Sequence, residues 1–247
     1  MNTKERKHNM YKNYVFDLYG TLVDIRTNED KAYLWDKMTE LFGFYGAVYE
    51  KGALKKSYTK YCKELEEEMK DDCGEIDLDV VFRKLFADKG IDDVEQSTID
   101  ALQMSMRVIS TKFIRLYDGV IDFLESLKAK GKNVYLLSNA QRGFTRPELR
   151  YLGIEKYFDG ILISSEEGYK KPGSKFYQRL LDRYHLNPKE SIMIGNDSVS
   201  DILGAYDMGM DSLYIHTEIS PECVEDLKST YTIMDGDFKK IKNMVLK

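Results

Sequence analysis

The chain has 247 residues, 43% of them hydrophobic, and a formal net charge of −5 at pH 7. That length buries a sizeable core, as one large domain or as a core carrying a smaller insertion. Its 37 lysines and arginines are spread along the sequence rather than gathered in a stripe, which argues against nucleic acid and for small-molecule partners.

In chain order, residues 1–9 form a polar tail: "MNTKERKHNM" is charged and leads into no apolar signal segment, and no later run is long enough to span a bilayer. Cys62, Cys73 and Cys223 are odd in number and form no CxxC pair. They read as reduced thiols of a cytoplasmic protein, not as a disulfide framework or a zinc site. "YVFDLYGTLVDI", Tyr14 to Ile25, opens the folded part as a strand: apolar residues lead into Asp17, and a Gly-Thr turn follows, with Tyr19 between.

From Thr27 to Lys112 no strand is evident and several amphipathic helices are. Leu34, Met38, Leu41 and Phe42 make one stripe, Tyr58, Cys62 and Leu65 a second, Val80, Val81 and Leu85 a third. The acidic run "KELEEEMKDDCGE" reads as a solvated helix face and its loop. Trp35, Phe42, Phe44, Tyr45 and Tyr49 either pack inside this unit or line a substrate pocket.

"DGVIDFLESLKAKG" predicts a helix capped by Asp118, with Val120, Ile121, Leu124 and Leu127 at helical spacing and Gly131 as its stop. "NVYLLSN" (Asn133 to Asn139), "GILISSE" (Gly160 to Glu166), "SIMIGND" (Ser191 to Asp197) and "SLYIHTE" (Ser212 to Glu218) each read as a strand buried on both faces of a parallel sheet. "PGSKFYQRLLDRYHLN" reads as a helix with Phe176, Leu180, Leu181 and Tyr184 on one face. The alternation implies an α/β fold with right-handed crossovers, its core over 10–26 and 113–247 and a helical insertion over 27–112.

Ligands of open α/β sheets bind outside the carboxyl ends of the strands. Four predicted ends carry reactive groups: Asp17; Ser138 with Asn139; Glu166 through Lys171; and Asn196 with Asp197 and Asp201. One such residue alone is ordinarily a turn former or helix cap; four ends converging on one edge call for a site.

The motifs "DLYGTL", "LLSNA", "YKKPGSKF" and "IGNDSVSDILGAYDMGM", in that order, resemble those of the haloacid dehalogenase (HAD) superfamily of aspartate-nucleophile hydrolases, from about Tyr11 to Thr217. The resemblance implies a Rossmann-like, doubly wound parallel sheet with an inserted helical cap. It implies Asp17 as a nucleophile that forms a covalent intermediate. Lys171, beside Pro172 and so preferred over Lys170, would neutralise that nucleophile and the transferring group, with Ser138 donating a hydroxyl to the same oxygens. Thr21 and Asn139 complete the substrate-binding set. Mg²⁺ would sit on Asp17, the Tyr19 backbone carbonyl and Asn196 or Asp197, with Asp201 at the later acidic position.

The sequence departs from the phosphatase pattern of that family in three places. Tyr19 stands where an Asp protonates the leaving alcohol, and a phenol of pKa near 10 is a poor proton shuttle at neutral pH. Asn196 stands where a metal-binding Asp is usual, and an amide brings no charge. "KPGS" replaces the usual Lys-Pro-Asp-Pro. Tyr19 matches instead the D-x-Y-G-T motif of the 2-haloacid dehalogenase branch, in which halide leaves without proton or metal. Yet Trp35 to Tyr49 holds no Arg for a substrate carboxylate, and Ser198 and Ser200 fall where that branch carries an Asn and an aromatic. His216, at a strand end, is a candidate proton shuttle. Arg142 and Arg146 are either anchors for a substrate's distal anion or surface and helix-start residues.

The expected function is thus a hydrolase of small phosphorylated metabolites using Mg²⁺. The alternatives are a dehalogenase-like hydrolase without metal, and a catalytically weakened ligand-binding or regulatory protein. Neither nucleic acid nor membrane is expected as a partner, and the sequence leaves the oligomeric state open.

Overall fold

Strand β1, Asn13–Phe16, holds a central place in the sheet of this computed structural model, which describes residues 11–246. The expected polar tail at 1–9 lies outside them. On one side of β1 lie β4, Asn133–Ser138, and β5, Gly160–Ile163; on the other lie β6, Ser191–Gly195, β7, Asp211–Ile215, and β8, Tyr231–Ile233. All six run parallel in the order β5-β4-β1-β6-β7-β8. The parallel α/β sheet is the one expected, with β8 added; at three residues, "YTI" is too short to show a period. The chain fills one side of β1 and then crosses to the other between β5 and β6. A crevice at such a switch point opens beyond the carboxyl ends of the strands.

Alternation along β1 feeds two buried layers. Tyr14 and Phe16 face Phe123, Leu124 and Leu127 of α5, Val120–Ala129, and Ile241 and Val245 of α10, Lys239–Val245. Val15 faces the other way, against Phe176, Tyr177 and Leu180 of α8, Ser174–Tyr184. Each fully buried side chain of this size stabilises the fold by roughly 1.5 to 3 kcal/mol. The buried Tyr14 hydroxyl donates to the Val245 carbonyl at 2.7 Å, which ties α10 to the central strand.

Two local expectations change. Asp118 does not cap α5: Gly119 holds the cap position at φ +95°, a conformation that suits glycine. The strand expected over Gly160 to Glu166 stops at Ile163, and Ser164–Glu167 turns into the short helix α7.

The segment between β1 and the rest of the sheet leaves and returns through an antiparallel ribbon, β2, Val23–Thr27, with β3, Thr111–Leu116. Arg26, Lys112 and Arg115 in it are exposed, and β3 follows straight on from helical sequence, so the pattern of residues did not reveal it. Between the two strands come α1, Ala32–Phe44, α2, Ala53–Glu68, α3, Leu78–Ala87, and α4, Gln96–Ser110. Their stripes meet in a core of their own that includes Leu34, Met38, Phe42, Val81, Leu85 and Met106. Val80, expected in the third stripe, is instead exposed. Trp35, Phe42 and Tyr49 are buried inside this unit, the Tyr49 hydroxyl donating to the Leu85 carbonyl at 2.6 Å; Phe44 and Tyr45 are exposed.

Candidate active site

The loop leaving β1 is wound tightly around one carbonyl: Leu18 O accepts from Leu22 N at 2.8 Å and from Val23 N at 2.9 Å. Gly20 makes the turn possible. Its φ is +83°, and a Cβ there would lie 2.2 Å from Asn196 Nδ2. The Asp17 N–H continues the ladder to Ile194 O at 3.0 Å, so the carboxylate stands at the very end of β1. Thr21 Oγ1 lies 3.1 Å from Asp17 Oδ2 and 3.2 Å from Asn196 Oδ1, which joins the loop to the end of β6.

Lys171 is buried, and its ammonium bridges two carboxylates, Asp17 Oδ1 at 2.8 Å and Asp201 Oδ1 at 2.7 Å. Burial pulls the Lys171 pKa down, but Asp17 and Asp201 outweigh it and hold the amine above its ordinary value. Asp201 is pushed up, first by burial and also by Asp17, while Lys171 and the Asp197 N–H pull the other way. Asn139 clamps the lysine's backbone from both sides: its Oδ1 accepts from Lys171 N at 2.8 Å and its Nδ2 donates to Lys171 O at 2.9 Å. Lys170 instead gives its backbone N–H to Cys73 O at 2.8 Å. Gly195 permits the packing of Asp201, since a Cβ there would meet its carboxylate at 2.3 Å.

Ser138 closes β4, wholly buried, and its Oγ has no hydrogen-bond partner among the described residues. Buried hydroxyls are rarely left so, and a ligand oxygen would complete it. Asn196 Nδ2 donates to Ser220 Oγ at 3.2 Å, which leaves Oδ1 toward Thr21. Asp197 Oδ1 is engaged as a cap, accepting from Val199 N at 2.8 Å and Ser200 N at 3.1 Å. It opens the wide turn Ser198–Leu203, which leads into α9, Gly204–Asp207. Asp17 Oδ2 and Asn196 Oδ1 are thus the side-chain oxygens that converge, both on Thr21. Among the described residues no three His, Cys, Asp or Glu side chains are grouped to hold a metal.

The Tyr19 side chain turns to α6, Arg142–Tyr151, where its hydroxyl hydrogen-bonds Glu148 Oε2 and lies 3.1 Å from Thr145 Oγ1. Arg107 of α4 bonds the other oxygen of Glu148 at 2.6 Å, and its guanidinium lies 5.3 Å from the centre of the Tyr19 ring. Burial, and then the Glu148 charge, raise the phenol well above its ordinary value, so it is a neutral donor. Sequence reasoning missed Arg107, Thr145 and Glu148: Arg107 lies in the helical insertion, and Thr145 and Glu148 lie on the helix just after "LLSNA" without being part of that motif, so no spacing marks them.

Arg142 pairs across to the helical unit, with Asp79 at 2.7 Å and Asp100 at 2.6 Å; Arg146 pairs with Glu166 at 2.8 Å. His216 Nδ1 lies 3.0 Å from the Tyr214 hydroxyl. Gln141, just before α6, accepts from Leu78 N at 3.0 Å and donates to Ile76 O at 2.9 Å, a further link between the helical unit and the sheet.

Residues 11–209 match the family model described as haloacid dehalogenase-like hydrolase. The chain is 30% identical over 135 residues to the glyceraldehyde 3-phosphate phosphatase of Methanothermobacter thermautotrophicus, a match covering 53% of this chain and 59% of that one. It spans about half the length of the curated relatives it matches. In fold it is similar to the 2-haloacid dehalogenase of Pseudomonas syringae, with a TM-score of 0.65 at 17% identity, covering 95% of this chain and 98% of that one. It is also similar to a magnesium-bound HAD protein, YfnB of Bacillus subtilis, with a TM-score of 0.57 at 18% identity, covering 96% and 99%. No helix among the described residues is long and apolar enough to cross a membrane. The ordered motifs, the switch-point strand order and the match over most of its length make this chain a member of the haloacid dehalogenase-like hydrolases.

Proposed function

We propose that the protein is a cytoplasmic hydrolase of small phosphorylated metabolites, with Asp17 as nucleophile and the α1–α4 unit over 27–112 as a cap on the discontinuous core. The observation that carries this reading is the buried, unpartnered Ser138 hydroxyl at the strand end next to Asp17, whose carboxylate is paired with the Lys171 ammonium. A phosphoryl group is an anion whose oxygens take up such donors. An Asp17 oxygen would attack phosphorus while the bond to the leaving oxygen breaks; water would then attack phosphorus and free the carboxylate. Anion meeting anion costs about 4 kcal/mol per charge pair at contact and intermediate dielectric, and Lys171 offsets that. Thr21 orients the nucleophile, and Asn139 orients Lys171.

Asp17 Oδ2, Asn196 Oδ1 and the Tyr19 backbone carbonyl are the oxygens that would hold Mg²⁺; they suit it in kind, with one carboxylate among them. The ion would supply further positive charge to the transferring group. Asp201 belongs to this reading as the counter-charge of Lys171, and Asp197 as a cap of the turn behind it.

The Tyr19 hydroxyl donates its hydrogen bond to Glu148, so it does not serve the leaving group, and the substrates that fit are those whose leaving groups need little protonation, acyl phosphates first. The similarity to a glyceraldehyde 3-phosphate phosphatase supports phosphoryl transfer. A second reading, metal-free dehalogenation of 2-haloacids, is favoured by the same two residues, a neutral phenol at position 19 and a neutral amide at position 196. A panel of acyl phosphates, phosphomonoesters and 2-haloacids, assayed with and without Mg²⁺, separates them. Mg²⁺-dependent phosphate release supports the first reading; halide release indifferent to Mg²⁺ replaces it with the second.

A further inference from the structure

Asn196 stands where the family pattern carries a carboxylate, and an amide has an orientation that a carboxylate lacks: one end accepts hydrogen bonds and the other donates them. Only the oxygen end can serve a cation. The neighbours on the Thr21 side favour the other end. Thr21 has one hydroxyl proton and two acceptors for it, Asp17 Oδ2 at 3.1 Å and Asn196 Oδ1 at 3.2 Å. With the amide reversed, Nδ2 would donate to Thr21 Oγ1, and Thr21 would keep its proton for Asp17.

The opposite orientation is imposed from behind, by the turn that follows β7. Gly20 O can only accept, so Thr217 Oγ1, 2.8 Å away, donates to it. That leaves Thr217 Oγ1 as an acceptor for Ser220 Oγ at 3.3 Å. With its proton directed there, Ser220 Oγ has only lone pairs to offer its other neighbours. One receives the Thr217 N–H at 2.9 Å; the other faces the Asn196 amide at 3.2 Å, which meets it with its donor, Nδ2. The Ser220 N–H closes the turn on Thr217 O at 3.0 Å, and Thr217 and Asn196 are both buried, so water competes little for these groups. The donors therefore run one way, from Asn196 through Ser220 and Thr217 to the carbonyl of Gly20 in the nucleophile loop.

We propose that Ser220 and Thr217 are positioning residues whose one-way hydrogen-bond relay turns the Asn196 amide oxygen toward the Asp17 site, so that an uncharged side chain serves there as a ligand for a divalent cation. The inference rests on the Mg²⁺ reading of the Asp17 site given above. It accounts for an amide at this position: a carboxylate presents oxygen whichever way it turns and needs no relay, whereas an amide turned the wrong way opposes the ion with an N–H dipole. Neither Ser220 nor Thr217 belongs to one of the four motifs. Groups that orient a metal ligand in this way are commonly worth about ten- to a hundredfold in affinity.

Calorimetric titration of the full-length protein with MgCl₂, without substrate and so apart from turnover, tests it. Ser220→Ala weakens Mg²⁺ binding by about tenfold. Thr217→Val, which frees the Ser220 proton to meet Asn196, weakens it in the same direction and carries the test should Ser220→Ala fail to fold. In an Asn196→Asp background the same two substitutions change the affinity by less than about twofold, because a carboxylate has no wrong end. Unchanged affinity in both single variants overturns the inference and leaves the metal reading standing. An equal loss with and without Asn196→Asp overturns it too, since that is a loosened loop rather than a turned amide. If the unaltered protein binds no Mg²⁺, the metal reading itself falls, and this inference with it.

Discussion

The Tyr19 hydroxyl is bonded to Glu148, and that pairing places the phenol between the nucleophile loop and the helix that follows Ser138. Because Arg107 takes the other oxygen of Glu148, three parts of the chain meet in one buried network: the loop after β1, the helix α4 and the helix α6. The residue that the family's phosphatase pattern would make an acid is here a joint.

Tyr19→Phe therefore leaves turnover of acyl phosphates within about threefold, while costing about 1 to 3 kcal/mol of stability, because Glu148 loses one donor at a buried site. Rates measured over aryl phosphates of graded leaving-group pKa fall steeply with that pKa in both proteins. A shallow dependence in the unaltered protein that steepens in the variant would show Tyr19 delivering the proton after all.

The pH dependence follows from Asp201. Its folded pKa lies above the ordinary 3.8, so the folded state binds more protons than the unfolded state, and stability falls as pH rises from about 4 through the folded value. Asp201→Asn is less stable overall, since an amide has one oxygen and cannot accept from both Lys171 Nζ and the Asp197 N–H, but its stability changes less across that window. Urea unfolding at a series of pH values checks this: parallel curves for the two proteins would sink it.

Asn196→Asp adds a charge to the proposed metal donors and raises Mg²⁺ affinity by about tenfold or more. Asp197→Ala removes a cap, costing about 1 kcal/mol, and leaves the Mg²⁺ concentration for half-maximal rate unchanged. Activation curves in MgCl₂ for the two variants distinguish these residues; the reverse pattern makes Asp197 the ligand.

Arg142→Ala unfastens α6 from Asp79 and Asp100. Both pairs are partly exposed, so the loss is about 1 kcal/mol in low salt and shrinks in 0.5 M salt. KM rises more than kcat falls if the helical unit closes over the substrate. Equal stability at both salt concentrations would place the contribution of Arg142 in packing rather than charge.

Much of the core was legible because each parallel strand is a continuous apolar run that ends in its reactive residue, as "NVYLLSN" and "SIMIGND" do. Asp17, Lys171 and Asp201 are brought together as the ordered motifs suggest, since the sheet register aligns the strand ends. The β2–β3 ribbon was hidden because most of its residues are partly or fully exposed and β3 continues a helix, and β8 because it is so short. The partners of Tyr19 were hidden for another reason. Glu148 and Arg107 look like ordinary surface charges in sequence, and only the packing of α4 on α6 turns them inward.

Rapid quenching of the enzyme with an acyl phosphate, followed by mass analysis of the peptide holding Asp17, tests the central claim most directly. The account predicts one added phosphoryl group on that peptide, absent from Asp17→Asn, appearing before free phosphate accumulates. Phosphate released with no modified peptide, or released equally by Asp17→Asn, would contradict it.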